Sequence, residues 1–110
     1  MTTAEIYQMI RRAGIPAVYH HFEENTGQEP PFICFYYPYD NDFKADNINY
    51  VPVNELRIEL YTERKDFHLE KVMETIMQEA GLVYTKEETY LSTEKMYMET
   101  FTTEVIIDGQ

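Results

Sequence analysis

Leu69, Val72, Met73, Ile76, Met77 and Ala80 recur at i, i+3, i+4, i+7, i+8 and i+11, a stripe that only an α-helix gathers onto one face. Asp66 stands where an N-cap is needed, and Gly81 with Leu82 fits a Schellman-type ending. The opposite face carries Glu70, Lys71, Glu74, Gln78 and Glu79, so this helix has one apolar side to bury. Just upstream, Leu56, Ile58 and Leu60 alternate with Arg57, Glu59 and Tyr61, the period of a half-buried strand. A one-sided helix beside a one-sided strand calls for a helix laid across one face of a sheet.

The remaining segments fit that layer. Thr2 with Glu5 reads as a capping box, Ile6, Met9, Ile10 and Ala13 follow at helical spacing, and Gly14 and Pro16 stop the helix. Ala17 to Phe22 reads as a strand, and the polar stretch Glu23 to Pro31 as a loop. Phe32 to Tyr37 is apolar enough for a strand buried on both faces and is the candidate central strand, with Pro38 ending it. Leu82 to Thr85, Thr89 to Leu91 and Met96 to Ile107 read as strands, parted by charged turns at Lys86-Glu87-Glu88 and Ser92-Thr93-Glu94-Lys95. The expectation is an α+β fold in one domain, residues 1–110, with order α-β-β-loop-β-α-β-β-β. Two helices would pack on a mostly antiparallel sheet of about five to six strands.

Charge and residue types narrow the chemistry. Twenty acidic against nine basic residues give a formal net charge of −11, which repels a phosphate backbone, so tight nucleic-acid binding is not expected. The densest apolar run, Phe32 to Tyr37, is far shorter than the ~20 residues of a spanning helix. The N-terminus lacks the basic and apolar regions of a secretory signal, which points to folding in the cytoplasm. Cys34 is the only cysteine, and within the apolar strand it reads as a small hydrophobe with a raised pKa. On a strand His20 and His21 point to opposite faces and cannot share an ion, and His68 reads as an exposed polar residue. Glu23-Glu24 and Glu87-Glu88 read as solvated acid pairs in turns, and no glycine motif cradles a phosphate. No catalytic residue, metal or cofactor is therefore expected, and the chain is read as a non-enzyme.

Pro31-Phe32-Ile33 leads a strand into the Tyr36-Tyr37-Pro38 turn; the Ala45-Asp46-Asn47 element, the Arg57-Ile58-Glu59-Leu60-Tyr61 strand and the helix ending Glu79-Ala80-Gly81 follow. In these features, from Gly14 to Val105, the chain resembles small tail-completion or tail-terminator proteins of long-tailed phages and Gram-positive prophages. The resemblance implies a structural α+β subunit that forms rings, commonly hexameric, capping the tail tube and joining it to the head connector. It also implies assembly in the host cytoplasm and residence in the virion tail. An acidic ring lumen would keep DNA from sticking, while an ordinary acidic solvent face explains the same charge; both readings stay open.

The loop from Tyr39 to Asn49 is the candidate assembly element. Asp40, Asp42 and Asp46 resist regular pairing, Lys44 adds a cation, and Phe43 is one large apolar side chain in a polar segment. Phe43 could anchor a neighbouring subunit or fold back over the sheet, and the sequence favours neither. Ten tyrosines add weight to protein contacts. The competing reading is an acidic module that inhibits or captures a basic partner, since dense carboxylates steer such encounters.

Overall fold

The computed structural model describes residues 1–22, 27–38 and 53–108. Its elements are α1 (Thr3–Arg11), β1 (Ala17–Tyr19), β2 (Phe32–Tyr36), β3 (Val53–Thr62), α2 (Phe67–Glu79), β4 (Tyr84–Leu91) and β5 (Met96–Ile106). The strands form one sheet in the order β1-β2-β3-β5-β4. Only β1 and β2 run parallel; the other neighbours are antiparallel. This is the expected α+β fold, with five strands among the described residues.

Both helix starts follow from their caps. The Thr2 amide donates to Glu5 Oε1 at 2.8 Å and the Glu5 amide donates to Thr2 Oγ1 at 3.1 Å, closing the capping box. Asp66 Oδ1 accepts from the Leu69 amide at 2.9 Å. At the end of α2 the Leu82 amide donates to the Met77 carbonyl and Gly81 to that of Gln78, both at 3.0 Å, which is the Schellman pattern. Gly81 adopts φ +76°, a conformation a Cβ would penalise.

One face of the sheet holds the core. Ile33 lies opposite Leu60, Phe35 opposite Ile58, and Ile58 opposite Phe101, so these side chains share a face by register. They pack with Ile6, Met9 and Ile10 of α1 and Met73, Ile76 and Met77 of α2. Each such side chain contributes about 1.5–3 kcal/mol by leaving water. Tyr7 stacks on Phe35 at 5.8 Å between centroids, and Arg12 pairs with Glu79 at 2.7 Å across the two helices.

The structure corrects several expectations. Lys86-Glu87-Glu88 is no turn: it is the middle of β4, which replaces the two short strands read on either side. Charged residues suit an edge strand, where one face and one side meet water. The strand expected to reach Phe22 stops at Tyr19, because His20 turns into the left-handed region at φ 73°. β2 is interior and buried on both faces at Ile33, Cys34 and Phe35, but the middle strand is the longer β3, paired on both sides. Glu70, assigned to the solvent face of α2, is buried, and Ala80, assigned to its apolar stripe, is exposed.

Candidate functional site

The unexpected chemistry of the molecule lies where β4 and β5 pass under α2. Glu88 of β4 lies directly opposite Glu99 of β5, and Phe101 lies opposite Lys86, so Lys86, Glu88 and Glu99 all point to the helix side. Glu70 comes down from the first turn of α2, and Lys65 from the segment between β3 and α2. Lys65 Nζ lies 2.8 Å from Glu70 Oε2 and 3.2 Å from Glu99 Oε2, and it also donates to Glu88 Oε1. Lys86 Nζ lies 2.7 Å from Glu70 Oε1 and 2.9 Å from Glu74 Oε2. Glu70 and Glu99 are only 2% and 1% exposed, so their charges depend on these partners.

The ionisation of the group follows its geometry. Burial, with the Glu88 carboxyl beside it, pushes Glu99 up to about 7. Glu88 is held below the usual range by the hydrogen bond from Glu99 and by Lys65. Burial would lower Lys65, but the carboxyls of Glu70, Glu88 and Glu99 outweigh it and hold the ammonium charged; Glu70 and Glu74 do the same for Lys86. Glu70, Glu88 and Glu99 each bring an oxygen within 4.8 Å of the others, a spacing that could hold a metal ion. Lys65 Nζ bonds to all three, so an ammonium already supplies the positive charge they require.

The helix-free face of the sheet is different in kind. Tyr36 and Tyr61 donate to the two oxygens of Glu59 at 3.1 and 2.7 Å, and Arg57 pairs with Glu55 at 2.8 Å. Burial, then its hydrogen bond to Glu59, raises the Tyr61 phenol far above its ordinary value. Phe22, Phe32, Tyr61, Leu91 and Met96 line an open groove of about 650 Å³ over Cys34. Burial, with Glu59 nearby, pushes the Cys34 thiol up to about 11, as its apolar strand led one to expect.

The other residues singled out in the sequence fall as follows. His20 and His21 do not diverge: the left-handed turn at His20 ends the strand and brings their Nδ1 atoms to 2.5 Å. His68 is exposed on the first turn of α2. Glu87 and Glu88 are neighbours in a strand, so they point to opposite faces and cannot act together. Glu23 and Glu24 lie outside the described residues, as do Asp40, Asp42, Phe43, Lys44 and Asp46. The network around Glu70 and Glu99 was missed, although spacing carried its signal: Glu70 is i−3 and i−7 to Met73 and Met77, and Glu99 shares parity with Phe101 and Val105.

Two further surfaces stand out. Val83, Phe67, Tyr90, Tyr19 and Ile106 are large apolar side chains left at least half exposed. Among the described residues β4 is an outer strand of the sheet, with six of its eight residues exposed and an unbroken ladder to β5 on its inner side only.

No family model matches the chain, and no curated protein matches it in sequence. Among solved structures it is similar to a chain of the structure described as "Virion of native gene transfer agent (GTA) particle". The superposition has a TM-score of 0.63 at 12% identity and covers 94% of this chain and 92% of that one. What the two chains share at this identity is the fold.

Proposed function

We propose that this chain is a structural protein of a phage-like virion, acting at the tail as a completion or terminator subunit between tail tube and head connector. The observation that carries the reading is the fold shared with a GTA virion chain over nearly the full length of both. The sequence resemblance to tail-completion proteins leads to the same class by an independent route. In this role the chain carries no reaction, and its partners are copies of itself and neighbouring virion proteins. The test is to delete the gene in a host that produces the particles and to image them by electron microscopy. Heads without joined tails, or tails of uncontrolled length, are expected, with rescue by the gene in trans. Particles indistinguishable from the parent would overturn the proposal.

A further inference from the structure

β4 is an outer edge whose sequence is complementary to itself. Counting outward from Glu87, Lys86 is matched by Glu88, Thr85 by Thr89 and Tyr84 by Tyr90. In an antiparallel pair centred on Glu87, each of these residues faces its match in a second copy. The opposed pairs are then Tyr with Tyr, Lys with Glu and Thr with Thr, the classes that stabilise cross-strand neighbours. Shifting the centre to Lys86 or Glu88 loses all three matches.

The faces agree as well. Tyr84, Lys86, Glu88 and Tyr90 lie on the helix side of the sheet, as their partners Thr103, Phe101, Glu99 and Tyr97 show, and Thr85, Glu87 and Thr89 lie on the other. A two-fold axis through Glu87, perpendicular to the sheet, therefore keeps the helices of both copies on one side. Among the described residues the edge is also unguarded. It has no bulge and no proline, and the charges that would normally discourage pairing are drawn inward, Lys86 to Glu70 and Glu74 and Glu88 to Lys65. Glu87 alone remains to oppose its own copy.

We propose that two copies of the chain associate through β4, antiparallel about Glu87, to form one continuous sheet. Lys86 and Glu88 of each copy then extend the charge network across the axis, and the exposed Tyr90 is covered by Tyr84 of the second copy. The inference stands on β4 alone and does not depend on a virion role.

Sedimentation equilibrium of the whole chain tests it. The wild type is expected to show a reversible monomer–dimer equilibrium that salt strengthens, because each copy carries −11. Thr85→Glu with Thr89→Glu sets carboxylates opposite each other twice and should weaken the dimer by about tenfold. Thr85→Glu with Thr89→Lys sets opposite charges there and should restore it. Both threonines are exposed, and far-UV circular dichroism checks that both variants fold. Glu87→Cys should cross-link to its own copy under mild oxidation, while Thr85→Cys, which would face Thr89, should not. A wild type that stays monomeric at every concentration would overturn the proposal. So would equal association of the two double variants, or a Glu87→Cys that does not cross-link.

Discussion

Lys65 Nζ lies 2.8 Å from Glu70 Oε2, and the Glu70 side chain is only 2% exposed. A carboxylate at that depth is tolerated only with its cation, so the contact fixes where the start of α2 sits over β4 and β5. Glu99, 3.2 Å from the same ammonium, ties β5 into the arrangement. The network thus links the helix layer to the sheet at a place where the apolar core has ended.

Removing the cation should show how far the fold depends on it. Lys65→Met keeps the length of the stem but leaves Glu70 and Glu99 short of positive charge, and it should destabilise the chain by about 3 kcal/mol. Urea melts at pH 7 measure this. A loss of under about 0.5 kcal/mol, the range of ordinary surface substitutions, would show that Lys86 alone suffices.

The apolar half of α2 makes a simpler prediction. Ile76 is 4% exposed and packs in the cluster with Met73 and Met77, so Ile76→Ala should lose about 2–5 kcal/mol through lost transfer energy and the cavity left behind. Val83, 89% exposed, is the control: Val83→Thr keeps the β-branched shape and should shift the same melts by under about 0.5 kcal/mol.

Why the one was legible and the other not follows from how sequence encodes burial. Met73, Ile76 and Met77 declare themselves because apolar residues at helical spacing have one explanation, and the caps at Thr2, Asp66 and Gly81 are local chemistry, fixed within a turn. Lys86 to Glu88 misled because a charged triplet is common both in turns and in edge strands, and only pairing with Met96–Ile106 distinguishes them. Glu70 misled more deeply, and Glu99 went unread. A carboxylate reads as solvated unless its partners are known, and the cation that Glu99 meets lies far off in sequence, Lys65 being 34 residues away. The turn at His20 was beyond reach because its left-handed φ is held by a tertiary bond, the His20 amide donating to the Phe35 carbonyl at 2.7 Å.

That turn is itself testable. At φ 73° a histidine carries a steric penalty that glycine avoids, while the amide bond to Phe35 needs no side chain. His20→Gly should therefore leave stability unchanged or raise it by up to about 1 kcal/mol. Thermal melts of the two proteins decide it. A clear loss would mean that the imidazole contacts with His21 and the Tyr36 ring, 5.8 Å away, hold the turn in place.

Glu99 makes the stability of the fold depend on pH. Its folded-state pKa is pushed up to about 7 from the ordinary 4.5, by burial and then by the Glu88 carboxyl, so the native state binds the proton more tightly than the unfolded chain does. Below 4.5 both states are protonated and the group is at its most favourable for folding. Between 4.5 and 7 the unfolded chain ionises first, and the native state loses stability as pH rises; above 7 the loss levels off. Glu74 and Asp108 act in the opposite direction, since their lowered values give stability that is lost as pH falls through the folded pKa. The whole-protein profile therefore mixes the two, and the difference between variants isolates Glu99. Glu99→Gln keeps a donor that can bond to Glu88 and removes the titration. Wild type minus Glu99→Gln, from urea melts at steps between pH 4.5 and 8, should fall with rising pH and flatten near pH 7.5. A difference that is flat across the window, or that rises with pH, would show that Lys65 keeps Glu99 ionised in the folded chain.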